Sequence, residues 1–246
     1  MVFPTAKADP GPSNGESWAV IVGVSDYLYS NIIRLPDLHY CDDDAIDLFN
    51  QLAPTWGESH LKLLTDSQAN KTSIQDAILN WLDPLENEND TVLFFFAGQG
   101  GQGNDVAPLD EVDGKDEYIC PHDSLTSSYS NDIRDDELEI WLNNLESSKI
   151  TIILDTCHSG GFIESMGSTK IESKISAAED DGTPVNQNDG FAKDISKSGR
   201  VILAACAENE NSWEVGYFEH SVFSNYILEA MNRLDIVDTS AKHQML

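Results

Sequence analysis

Basic residues are scarce in this chain. Its 246 residues carry 14 Lys and Arg against 43 Asp and Glu, a formal charge of -29. The arginines are Arg34, Arg134, Arg200 and Arg233. Such a surface repels nucleic acid and anionic membranes, so neither is expected as a partner; cationic partners, either metal ions or Lys/Arg-rich peptides, are favoured. Cysteine pairing is missing too. Cys41, Cys120, Cys157 and Cys206 are widely spaced with no Cys-x-x-Cys, which argues against a disulfide framework or a zinc cluster. The opening stretch MVFPTAKADPGPSNGES has no apolar core of signal-peptide length, and no run anywhere reaches transmembrane length. These absences predict a cytoplasmic protein of a reducing compartment. No internal repeat is visible.

What is present is enough for a real core. Hydrophobic residues make up 40% of the chain, and its length suits one good-sized domain. Continuous apolar runs of strand length occur at Trp18–Val24, Thr91–Ala97, Ile150–Leu154 and Arg200–Ala205, with a shorter candidate at His60–Thr65. Helical patterns lie between them: one opening at Tyr40-Cys41-Asp42-Asp43-Asp44, one capped by Thr72 or Ser73, one from Ile133 to Leu145, and a last one from Phe223 to Leu234. Strand–helix units in series predict an α/β fold with a mostly parallel sheet. Residues 1–16 read as a flexible leader, 164–199 as a surface loop or disordered insertion, and 235–246 as a peripheral tail.

Four strands end in unusual polar content, just before Asp26, Gln99, Cys157 and Glu208. Parallel neighbours bring such ends to one edge of the sheet. Thr151-Ile-Ile-Leu-Asp155-Thr-Cys157-His-Ser-Gly-Gly161 is the most suggestive of them. A cysteine on a glycine-ended turn exposes sulfur while nearby N–H groups point at a developing oxyanion. The plainer reading of Cys157 is a small buried hydrophobe. The glycine cluster Gly98-Gln99-Gly100-Gly101-Gln102-Gly103 is not a phosphate loop, because no Lys-Ser/Thr stands in the required place and no helix pattern follows it; it reads as a tight or mobile turn.

Taken in order, these segments resemble the caspase-like cysteine peptidases, nearest to the metacaspases and their prokaryotic homologues, the orthocaspases. The matches are Ala19–Val24, Tyr40–Ala45, Phe96–Gly100, Asp113–Glu117 with Cys120–Asp123, Ile133–Leu138, Asp155–Gly160 and Ala204–Glu208. The resemblance implies a three-layer α/β/α sandwich, with the peptidase domain at 17–234. It also implies a Cys–His dyad with Cys157 as nucleophile. The histidine's position in the glycine-flanked turn is held here by Gln99. An amide has no nitrogen that titrates near neutral pH, so turnover is expected to be absent or severely impaired. Two readings stay open: a cysteine endopeptidase whose histidine is replaced, or a natural pseudopeptidase that binds basic peptides or protein partners without cutting.

The same resemblance assigns an acidic pocket to Cys41, Asp44, Asp155 and Ala97, with Ser212 and Trp213 lining the cleft and Glu208, Glu210 and Glu214 in an outer subsite. Two carboxylates in a concave site favour an Arg or Lys side chain, so the expected partners are peptides or proteins cleaved after Arg or Lys. Oxyanion donors are expected at Gly98 and the Cys157 backbone. Calcium is implied as a ligand of Asp113, Asp116, Asp135, Asp136 and Glu164. Lys170, Lys174, Lys193 and Lys197 fit self-processing of a zymogen. A monomer is expected.

Overall fold

The computed structural model describes residues 15–30, 35–104, 106, 114, 116–125, 131–156, 200–205 and 214–243, with backbone alone from 234 onward. Five strands form the central sheet: β1 (Ser17–Gly23), β2 (Leu61–Thr65), β3 (Thr91–Gly98), β7 (Lys149–Thr156) and β8 (Arg200–Ala204). Their order is β2-β1-β3-β7-β8, and every pairing is parallel. The chain steps outward from β1 to β2, then returns past β1 to β3 and continues the other way. That reversal opens a crevice at the carboxyl ends of β1 and β3, where open α/β sheets place their ligands.

Both faces of the sheet are covered, which is why the strands read as unbroken apolar runs. Val20, Val22, Phe94, Phe96, Ile152 and Leu154 pack on one side with α2 (Lys71–Asp76), the π-helical turn Ala77–Leu82 and α3 (Asp135–Leu142). Ala19, Ile21, Phe95 and Ile153 pack on the other with α1 (Cys41–Trp56) and α4 (Val222–His243), through Leu48, Leu52 and Leu228. The result is the three-layer α/β/α sandwich expected from the sequence. No helix among the described residues is long and apolar enough to cross a membrane.

Buried carboxylates tie the layers' edges. Asp90, fully buried, accepts from the Glu16 N–H, the Trp18 indole and the Asn87 N–H and side-chain amide, locking the start of β3 to β1. Glu86, equally buried, accepts the Glu146 and Ser147 N–H groups ahead of β7.

The local readings need four corrections. The glycine cluster is not only a turn: β4 (Gly100–Gln102) pairs antiparallel with β5 (Glu117–Ile119), and a Cβ on Gly101 would come within 2.6 Å of the Tyr118 ring hydroxyl. Ile133–Arg134 is a strand, β6, paired with β5, so the third helix begins only at Asp135. The second helix is capped by Asn70, whose Oδ1 accepts the Ser73 N–H at 2.9 Å, rather than by Thr72 or Ser73. The final helix runs to His243, past the expected stop at Leu234.

Candidate active site and acidic pocket

The site is built on one row of the sheet. Gly23 of β1 lies in register with Ala97 of β3, and Ala97 with Asp155 of β7. One step further along, Gly98 pairs with Thr156. Cys157 follows Thr156 directly and lies outside the described residues, as do Ser212, Trp213, Asp113, Glu164, Glu208 and Glu210.

The start of α1 sits on this row because Gly23 has no side chain. A Cβ there would lie 2.3 Å from the Cys41 carbonyl oxygen and 2.7 Å from the Ala45 Cβ. That close approach sets Cys41 and Asp44 beside Ala97 and Asp155. All four are buried, with 4%, 1%, 0% and 3% of their surface exposed. The four predicted pocket residues that the structure describes are therefore brought together.

Their electrostatics follow from crowding of negative groups in a dry place. Burial, then the neighbouring Asp155, pushes the Asp44 carboxyl from 3.8 up to about 7, against hydrogen bonds from His220 and Ser221 that pull it down. Burial, followed by Glu214, Asp155 and Asp44, drives the Cys41 thiol well above its ordinary range, so it stays protonated. Its Sγ–H donates to Glu214 Oε1 at 3.7 Å.

Sequence reasoning missed the residues that hold the pocket together. His220 Nδ1 meets Asp44 Oδ1 at 2.7 Å, and His220 Nε2 faces Asp47 Oδ2 at 3.4 Å. The Ser221 N–H donates to Asp44 Oδ2 at 3.3 Å. Asp155 Oδ2 accepts from the Ser221 hydroxyl, the Ser224 hydroxyl (2.6 Å) and the Ser224 N–H (3.1 Å). Ser221 is the N-cap of α4, its Oγ accepting the Ser224 N–H at 3.1 Å. A serine just before an apolar helical run was a readable cap signal; nothing in the sequence pointed to His220. Glu214, expected to line an outer subsite, accepts the His39 and Tyr40 N–H groups at 2.8–3.0 Å, ahead of α1. The two short strands β9 (Glu214–Val215) and β10 (His220–Ser221) thus clamp the start of α1 from both ends.

Gln99 sits half-buried at the end of β3. Its N–H donates to the Tyr27 hydroxyl at 2.6 Å, its carbonyl accepts the Cys120 N–H at 2.9 Å, and its side-chain Nε2 donates to the Pro36 carbonyl at 3.2 Å. Burial, then the Cys120 and Cys41 thiols, raises the Tyr27 hydroxyl well above its usual range, so it stays a neutral partner. Gly98 is tightly packed: a Cβ would reach the Phe96 ring and the Tyr27 hydroxyl at 3.0 Å.

Of the expected calcium ligands, Asp116 is buried and faces Arg134 Nε at 3.3 Å. Asp135 and Asp136 open α3, with Asp135 buried. Among the described residues no three His, Cys, Asp or Glu side chains are grouped so as to hold a metal ion.

Comparison with known proteins identifies the family. The model of the caspase domain, peptidase C14, matches residues 16–242. The chain belongs to the caspase-domain family. Within that family it is similar to metacaspases. Metacaspase-1 of Schizosaccharomyces pombe is 32% identical over 160 residues, covering 61% of this chain and 35% of the relative. Metacaspase-1A of Aspergillus terreus is 31% identical over 160 residues (61% and 37%), and Metacaspase-1 of Saccharomyces cerevisiae 31% over 159 residues (61% and 35%). The chain thus matches little more than a third of the length of these curated relatives. A solved structure of a Geobacter sulfurreducens protein superposes with a TM-score of 0.61 over 89% of this chain and 82% of that one, at 18% identity, a likeness of fold. The caspase domain is a cysteine-peptidase family, which is the chemistry expected from the Cys157 motif.

Proposed function

We propose that this caspase domain receives the Arg or Lys side chain of a peptide in the pocket formed by Cys41, Asp44, Ala97 and Asp155, and that Gln99 leaves it without peptide-bond turnover. The observation that carries the reading is the pair of buried carboxylates, Asp44 and Asp155, at the carboxyl edge of β1, β3 and β7. Buried carboxylates this close call for a cation, and a planar guanidinium can bridge both. The basic group that Asp44 meets is an imidazole, not Lys or Arg.

The chemistry that belongs to the motif is attack of a Cys157 thiolate on the carbonyl after the basic residue. An acyl-enzyme then forms, the amine leaves with a proton, and water hydrolyses the thioester. Each transfer needs a group that takes and returns a proton near neutral pH. Gln99 cannot do so, and its amide is already committed to Pro36. N–H groups near Gly98 and Cys157 would hold the oxyanion. As the chain stands, basic peptides bind and are not cut, which also describes a regulatory module for basic partners.

The deciding assay pairs this chain with Gln99→His on Arg-, Lys- and Asp-containing peptide substrates, with and without calcium. Hydrolysis after Arg or Lys only in the histidine variant supports a disabled peptidase. Binding without cutting in both supports a regulatory module. Preference for Asp over Arg overturns the pocket assignment.

A further inference from the structure

Asp44 has no exposed side-chain surface, and His220, itself 17% exposed, lies against it. The two ring nitrogens of His220 face two carboxylates, Asp44 on the inside and Asp47 on the outside. The imidazole therefore stands on the carboxyl group to which the proposed function brings a guanidinium or ammonium. We infer that His220 is a gate, an internal partner on Asp44 that an incoming basic side chain must displace.

The ring has somewhere to go. A cleft of about 550 Å³ opens between α1 and α4, lined by Asp47, Gln51, His220, Asn225 and Glu229. Swinging outward, the imidazole exchanges Asp44 for Asp47 and Glu229 and stays beside negative charge. The groups around it are Asp43, Asp44 and Asp47 on α1, Glu219 on the preceding turn, Glu229 on α4, and Asp155 on β7 behind Asp44. The β9–β10 clamp stays anchored while the ring moves, because Glu214 holds the His39 and Tyr40 N–H groups and Ser221 holds Asp44 and Asp155. The gate selects for charge: once the ring has left, a neutral side chain brings nothing to offset an ionised Asp44, whereas a guanidinium does.

The inference rests on the basic-pocket reading, and its test separates the two. The native chain, with isotopically labelled histidine, is titrated near pH 7 with acetyl-Gly-Gly-Arg-amide and with its citrulline counterpart. His220 is assigned by the resonance lost in His220→Gln. The Arg peptide is expected to shift the His220 ring signals as it saturates, and the citrulline peptide to leave them in place. His220→Ala, with no ring to displace, is expected to bind the Arg peptide about fivefold tighter, the order of one hydrogen bond. Arg-selective binding that leaves His220 undisturbed, or that weakens in His220→Ala, overturns the gate while sparing the pocket. Equal binding of the Arg and citrulline peptides, or none, overturns both. If His220→Ala does not fold, the titration of the native chain decides alone.

Discussion

Gly23→Ala tests whether the pocket depends on the approach of α1 to the sheet. The added methyl would sit 2.3 Å from the Cys41 carbonyl oxygen, 2.7 Å from the Ala45 Cβ and 2.9 Å from the Asp42 Cα. Two of these are backbone atoms, which cannot swing aside as a side-chain tip can. Restoring ordinary contact requires α1 to lift by about 1 Å. Two effects compete. Losing a glycine stiffens the unfolded chain and favours folding by about 0.4–1 kcal/mol. Overpacking a filled interior costs about 1–3 kcal/mol. With a backbone oxygen and a Cα both inside contact distance, the upper end applies, giving a net loss of about 2 kcal/mol. At about 2–4 °C per kcal/mol for a chain of this size, the melting temperature falls by about 4–8 °C. The shift also carries Cys41 and Asp44 away from Ala97 and Asp155, so affinity for an Arg peptide drops in parallel. Thermal unfolding and peptide binding measured on the same preparation check both. An unchanged or raised melting temperature would refute the packing argument, and a destabilised chain with full peptide affinity would refute the link to the pocket.

Other expectations follow from single contacts. Asp44→Asn removes a charged partner for the ligand, so preference for Arg over citrulline peptide falls about tenfold or more, measured by calorimetry. The same variant tests the proton: folded Asp44 keeps it up to about pH 7, against 3.8 as its ordinary value. Between those values the folded state holds more protons than the unfolded, so Asp44 makes stability fall as pH rises through that window. In Asp44→Asn the fall from pH 4 to 7, followed by urea unfolding, is shallower; identical slopes would contradict the raised value. Asp90→Ala strands the Trp18 indole and the Glu16 N–H in a buried site and costs about 3 kcal/mol in the same assay, since each orphaned donor costs about 1–3.

The sheet was legible because burial on both faces leaves its mark on every residue of a strand: Val20, Ile21 and Val22 face different helices yet all read apolar. β4 and β6 were not legible. Each has only two or three residues, one is glycine-rich, and their pairing with β5 is decided by Tyr118 folding over Gly101 rather than by a repeating pattern. The pocket was legible only through resemblance. Taken alone, Asp44 reads as a first-turn aspartate suiting the helix dipole, and only the fold shows it buried against Asp155. His220 carried no local signal, since its partner lies 176 positions away and the contact exists only once α4 packs on α1.

The two carboxylates do not bear equally on function. Asp155 takes two serine hydroxyls and an N–H at the first turn of α4, so it would stabilise the helix start whether or not a ligand ever entered. Its presence is explained by the fold. Asp44 is different. Burying it costs free energy that its partners only partly offset, as its raised carboxyl shows. A stability argument alone would place an asparagine there, which could keep the Ser221 contact without a charge. The unfavourable carboxylate is therefore the better sign of a binding role, and Gln99 does not touch it. On the proposed function, a glutamine at position 99 removes proton transfer at the end of β3, while the proposed cation site stands on α1 and β7 with its own supports. Recognition can outlast proton transfer in such a site because Asp44 and Asp155 take their supports from Ser221 and Ser224, not from position 99.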